Sequence, residues 1–91
     1  MLQSVSITVE GLVQGVFYRQ STKAKAIESG ITGEIKNKPD GNVHIIATGT
    51  ESQLEQFIKW CNKGPEMAIV TEVKVEQIPL KYFKGFSIVK N

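Results

Sequence analysis

The order in which strand-like and helical patterns follow each other constrains the fold of this chain more than any other sequence feature. Strand patterns, most with an apolar residue at every second position, are predicted in five places. They cover residues 4–10, 32–37, 42–48, 69–75 and 86–89. Residues 38–41 (KPDG) are typical of a turn, so we expect the second and third strands to form a hairpin.

Two segments between these strands have the signals of helices. The first covers Tyr18–Ser29 and is followed by Gly30, the residue type that most often ends a helix. The second can begin after Thr50, whose side chain would form a capping box with Gln53, and Gly64-Pro65 ends it. Apolar residues at the spacing of one buried face follow the cap: Leu54, Phe57, Ile58 and Cys61.

The resulting order is βαββαβ with a short extra C-terminal strand. This order predicts an α+β fold, a ferredoxin-like sandwich with two helices on one face of a mostly antiparallel sheet. A chain of 91 residues is long enough for one such core and too short for two. We therefore expect residues 1–91 to form a single domain.

Composition and charge exclude several classes of function. The chain is 41% hydrophobic and 22% charged, with a formal net charge of +2 from scattered lysines, which predicts neither a nucleic-acid nor a membrane partner. No apolar stretch approaches the roughly 20 residues that span a bilayer, and polar residues interrupt the N-terminal region that a signal peptide would need. Cys61, the sole cysteine, cannot form an internal disulfide, so we expect a reducing, cytoplasmic setting. Since no feature indicates an obligate interface, we expect a monomer.

The usual catalytic groups have little support in this sequence. Cys61 lies on the apolar face of the second helix, which predicts a buried structural thiol. His44 lies on a strand face opposite Val43 and Ile45, and no serine, cysteine or acid is placed by sequence to complete a triad. No metal-ligand spacing is present, so we expect neither a metal nor a cofactor. Residues 84–89 (KGFSIV) superficially resemble the signature of RNA-recognition domains, but they lie on the last strand rather than the third. They also lack the further aromatic residues on which bases stack, so we do not expect RNA binding.

Arg19 is the only arginine, every other strong base being a lysine. A guanidinium presents a planar fork of donors that matches phosphate or carboxylate oxygens, which a lysine cannot reproduce. Arg19 follows a glycine-flanked turn and precedes a helix, where backbone N–H groups converge on an anion. A surface ion pair is the alternative for Arg19. Asn37 beside the turn indicates little by itself, because asparagine is a common turn residue.

Residues 11–19 (GLVQGVFYR) match the first signature of the acylphosphatase family, G-x-V-Q-G-V-x-[FY]-R, at every specified position. Residues 33–49 (GEIKNKPDGNVHIIATG) are similar to the second, built around an asparagine, an Asp-Gly turn and a later glycine. Gly64-Pro65 followed by Ala68, and residues 86–88 (FSI), also fit the family's layout, so the resemblance covers essentially the whole chain. A few residues depart from the family's usual pattern, and they bear on packing and on the rim of the site: Ser29, Glu34, Ile35 and Lys38-Pro39.

The resemblance implies an enzyme that hydrolyses the carboxyl-phosphate bond of a small-molecule acyl phosphate to a carboxylate and inorganic phosphate. Arg19 would bind the phosphoryl group and Asn37 would hold the attacking water. A cradle of backbone N–H groups would come from Gly15, Val16, Phe17, Tyr18 and Arg19. We expect Val16, and one of Phe17 and Tyr18, to pack the loop against the core rather than touch the substrate.

Two other functions remain open. A non-catalytic anion-binding regulatory domain with a ferredoxin-like fold would keep the cradle and Arg19 and have no use for the amide of Asn37. The chain could also act like the acylphosphatase-like module of larger carbamoyl-transfer maturation proteins. We expect the free-standing enzyme instead, because the sequence has no extension at either end.

Overall fold

A computed structural model describes residues 1–90, and Asn91, the last residue of the expected domain, lies outside the described residues. Every helix and strand predicted from the sequence is present in the predicted order. The elements are β1 (Leu2–Leu12), α1 (Tyr18–Ser29), β2 (Thr32–Asn37), β3 (Val43–Thr50), α2 (Glu51–Lys63), β4 (Ile69–Ile78) and β5 (Phe86–Ile88).

The strands form one sheet in the order β4-β1-β3-β2-β5. β1 pairs antiparallel with β3 and β4, β2 pairs antiparallel with β3, and β5 runs parallel to β2 along the sheet edge. α1 packs on β2 and β5, α2 packs on β1, β3 and β4, and the two helices contact each other. Both helices therefore cover the same face, which confirms the predicted α+β sandwich, and the predicted hairpin of β2 and β3 is confirmed as well.

The centre of the core lies where β1 and β3 meet α2. Val5, Ile7 and Val9 of β1 are buried, as their alternation predicted, and burying side chains of this size contributes about 1.5–3 kcal/mol each. The apolar face predicted for α2 is confirmed, since three of its four residues are buried and Ile58 is partly buried. The three are Leu54, Phe57 and Cys61.

Strand ends differ from the prediction where pairing continues beyond the apolar pattern. β1 was expected over residues 4–10, but it extends to Leu12 because β4 pairs with it beyond a bulge at Glu10/Gly11. β3 was expected over residues 42–48 and runs to Thr50, since its pairing with β1 continues to the N-terminal end of that strand. In β4, which lies at the other edge of the sheet from β5, Ile69 and Val75 are exposed although they follow an alternating pattern.

Candidate active site

The loop between β1 and α1 turns the chain through two residues with left-handed backbone conformation. Gly15 has a φ of 74° and Phe17 a φ of 63°. Glycine adopts such angles at little cost, whereas phenylalanine rarely does, so the surrounding structure must hold Phe17 there. A side-chain carbon at Gly15 would meet no atom within 4 Å, so the backbone at Gly15 borders open space.

The N-terminus of α1 follows this loop directly. Phe17 occupies the N-cap position without a side-chain hydrogen bond, and the first turn carries no acidic residue in the described chain. The bond from Ser21 N to Phe17 O measures 3.0 Å, and the N–H groups before it have no partner within the helix. These donors and the positive end of the helix dipole together favour an anion at this end of α1.

Arg19, the second residue of α1, lies at a pocket of about 470 Å³. Gly15, Phe17 and Tyr18 from the predicted cradle also line this pocket, whereas Val16 packs against the hydrophobic core. Arg19 is partly buried. A fixed positive charge and the open helix terminus thus meet in one cavity, an arrangement suited to a phosphoryl group or a carboxylate.

The far wall of this pocket comes from the C-terminal segment, which the sequence analysis did not place at the site. Ile88 and Lys90 line it together with the loop and α1. They reach it because β5 runs parallel to β2, with Ile88 opposite Ile35 and Val89 N bonded to Ile35 O at 2.8 Å. No local pattern in the sequence indicates this pairing, because it joins segments about 50 residues apart.

Tyr18 anchors the start of α1. Its ring is buried, lies 5.7 Å from the ring of Trp60, and its hydroxyl donates a 2.8 Å hydrogen bond to Cys61 O. Burial, reinforced by Cys61, raises the pKa of this phenol well above its ordinary value, so Tyr18 stays protonated and keeps donating. The expectation that Val16 and one of the two aromatic residues pack on the core therefore holds for Val16 and Tyr18, while Phe17 is 72% exposed.

Asn37 is the last residue of β2, immediately before the hairpin turn. It is partly buried, and its Oδ1 atom is shielded from solvent. It is not among the described residues that line the pocket of Arg19. It follows Ile35 by two residues on β2, and Ile35 pairs with Ile88, which lines that pocket.

Other reactive groups lie away from the pocket. The structure brings Ser6 Oγ to 2.9 Å from His44 Nε2, a contact that the sequence analysis did not predict. Cys61 is fully buried as predicted, and burial raises the pKa of its thiol to about 12. Among residues 1–90, no cluster of three or more His, Cys, Asp and Glu side chains could hold a metal ion. The helices of the same residues include none that is long and apolar enough to cross a membrane.

Comparison with known proteins identifies the family of this chain. The family model described as Acylphosphatase matches residues 5–88. An acylphosphatase of Marinobacter nauticus is 49% identical over 73 residues, which cover 80% of this chain and 79% of that protein. The structure is similar to that of an acylphosphatase from Bacillus subtilis, with a TM-score of 0.93, 36% identity, and coverage of 98% of this chain and 99% of that chain.

A larger protein contains a similar fold. HypF of T. kodakarensis matches with a TM-score of 0.85 and 29% identity over 100% of this chain, which corresponds to 12% of that chain. The family match over nearly the whole sheet and both helices agrees with the signature around Arg19 and with the resemblance around Asn37. This chain belongs to the acylphosphatase family.

Proposed function

We propose that Arg19 and Asn37 are the catalytic residues with which this acylphosphatase-family hydrolase cleaves its acyl phosphate substrate. The observation that carries this assignment is the position of Arg19, the only arginine, in the first turn of α1 at a pocket that the preceding loop also lines. The alternative of a surface ion pair is not supported for Arg19, since none of the ion pairs among residues 1–90 includes it.

The phosphoryl group binds to Arg19 and to the backbone N–H groups of residues 15–19. The guanidinium fork engages two phosphoryl oxygens, and the amides at the start of α1 supply further donors without having to reorganise. Phosphoryl transfer depends mainly on such positioning and charge stabilisation. This binding mode requires no metal or cofactor, and hydrolysis is expected to continue in the presence of EDTA.

Asn37 positions the water that attacks phosphorus. The oxygen of the water forms a bond to phosphorus as the bond from phosphorus to the acyl oxygen breaks, which releases the carboxylate and inorganic phosphate. A carboxylate, whose parent acid has a pKa of about 4, leaves without help from a general acid. Val43 is the strand partner of Asn37, and its neighbour His44 points to the other face of the sheet, so the histidine is not placed to accept the proton of the water. The substrate's own phosphate oxygen takes this proton instead.

The proposal includes the setting in which the enzyme works: one domain over residues 1–91, active as a monomer in the cytoplasm. All described strands join a single sheet, and the buried residues form one hydrophobic cluster, which supports a single folding unit. The sole cysteine is buried, so it offers no accessible thiol for a disulfide to another chain.

The substitution Asn37→Ala separates water positioning from phosphate binding. We expect kcat for benzoyl phosphate to fall by about 10²-fold, as for a misplaced reacting group, while competitive inhibition by inorganic phosphate is retained. Asn62→Ala, at an exposed asparagine of α2, is the matched control and should keep full turnover.

Two results would count against this account. Near-full turnover by Asn37→Ala would show that the assigned mechanism is wrong. A wild-type protein that binds phosphate but does not turn over any acyl phosphate would instead favour the non-catalytic anion-binding domain.

A further inference from the structure

Gln14 joins the loop before α1 to the hairpin that follows Asn37. Its side-chain amide donates one hydrogen bond to Lys38 O and another to Asn42 O, both 2.8 Å long. A primary amide has two N–H donors. Gln14 is partly buried and, unlike its neighbours Val13 and Gly15, does not line the pocket of Arg19 within the described chain.

The two carbonyl groups that Gln14 binds are those that close the hairpin turn. Asn42 O also accepts from Lys38 N at 2.8 Å, and Lys38 O also accepts from Gly41 N at 3.1 Å. Lys38 is directly bonded in sequence to Asn37. Beside the strand pairing of β3 with β1 and β2, the side chain of Gln14 thus ties this turn directly to the loop that precedes Arg19.

We propose that Gln14 is a positioning residue of this active site, which holds the Asn37 hairpin against the phosphate-binding loop without touching the substrate. The proposal rests on the function proposed above for Arg19 and Asn37. The cradle and Arg19 belong to one continuous segment, so they keep their own geometry when the link to the hairpin is lost. Loss of Gln14 therefore affects water placement more than phosphate binding.

The direct test is a double-mutant cycle on kcat with Gln14→Met, Asn37→Ala and the combined variant. Methionine keeps the length of the side chain and removes both donors. We expect Gln14→Met to lower kcat for benzoyl phosphate by about 10-fold or more, since small misplacements of reacting groups have large effects on rate. Inhibition by inorganic phosphate should change little. In the Asn37→Ala background Gln14→Met should have almost no further effect, because coupled residues are non-additive.

The control is Gln56→Met, at an exposed position of α2, which should match wild type. Unfolding midpoints show whether each variant is folded at the assay temperature. If Gln14→Met is not folded, Gln14→Asn replaces it, because the shorter side chain of asparagine cannot reach both carbonyl groups.

Three outcomes would overturn the role of Gln14. These are unchanged kcat in the folded Gln14 variant, parallel loss of kcat and phosphate inhibition, and losses that multiply in the double variant. If Asn37→Ala itself keeps full turnover, the proposed function fails and the positioning role fails with it. If kcat falls as expected in Asn37→Ala but stays at the wild-type value in Gln14→Met, only the positioning role of Gln14 fails.

Discussion

His44 and Ser6 form a polar pair on the sheet face that the helices leave uncovered. Ser6 Oγ lies 2.9 Å from His44 Nε2, and Lys36 is the strand partner of the histidine on β2. Partial burial, followed by the positive charges of Lys38 and Lys36, lowers the pKa of His44 below its ordinary value, while Glu34 opposes this shift. The folded protein therefore favours the neutral imidazole.

This lowered pKa makes stability depend on pH. In the unfolded chain His44 has its ordinary pKa of about 6.5. At pH values between this pKa and the lower pKa of the folded state, the unfolded state therefore binds more protons than the folded state does. The contribution of His44 is complete above about pH 6.5 and is lost as the pH falls through the folded pKa. We expect urea midpoints between pH 7.5 and 5 to fall less steeply for His44→Gln than for wild type, and equal slopes would contradict this.

Single residues differed in how well the sequence predicted their surroundings. The buried thiol of Cys61 followed from the apolar pattern of α2, and the packing of Val16 on the core was also expected. The contact of His44 with Ser6 did not, because it depends on the register of β1 against β3, where these two residues lie diagonally across the strand pair. The left-handed conformation and the exposure of Phe17 could not be read from its residue type either.

At the level of elements, the end of α2 supports the start of α1. Gly64 caps α2 with a φ of 69° and a ψ of −175°, a combination that is essentially confined to glycine. A Cβ atom at Gly64 would approach Tyr18 Cε2 to 2.9 Å. Tyr18 is the first residue of α1, so Gly64 permits the contact that supports the proposed phosphate-binding end of that helix.

The substitution Gly64→Ala tests this support. Backbone strain and displacement of the Tyr18 ring should lower the free energy of unfolding by about 1–3 kcal/mol and weaken inhibition by inorganic phosphate. Gly85→Ala is the control, because a Cβ at Gly85 meets no atom within 4 Å, and it should leave both quantities nearly unchanged. Chemical unfolding and inhibition assays measure the two effects. If Gly64→Ala has the same free energy of unfolding as wild type, the close contact between Gly64 and the Tyr18 ring is not important for stability.

Helix ends were predicted better than strand ends. The capping box of Thr50 and Gln53 and the C-terminal caps at Gly30 and Gly64 are local signals, and each is present as expected. Strand ends depend on partners that are distant in sequence. β1 extends to Leu12 only because β4, more than 50 residues later, pairs with it there.

For the whole molecule, the order of elements predicted the architecture, whereas the strand order of the sheet explains the site. β5 pairs with β2 and contacts α1, so the C-terminal Ile88 and Lys90 line the same pocket as the loop that precedes α1. The family signatures in the sequence are the source of the proposed catalytic roles of Arg19 and Asn37. The sequence could not predict that Gln14 links their two segments, because hydrogen bonds from a side chain to distant carbonyl groups leave no periodic pattern.

The most direct test of the account compares wild type, Arg19→Lys and Lys23→Arg in hydrolysis of benzoyl phosphate with EDTA present. Lysine keeps the charge and loses the fork, and the loss of such a donor from a charge-stabilising site is expected to reduce kcat/KM by about 10²-fold or more. Lys23 is exposed on α1, so Lys23→Arg should behave like wild type. If Arg19→Lys retains wild-type kcat/KM, Arg19 is not the phosphate-binding catalytic residue.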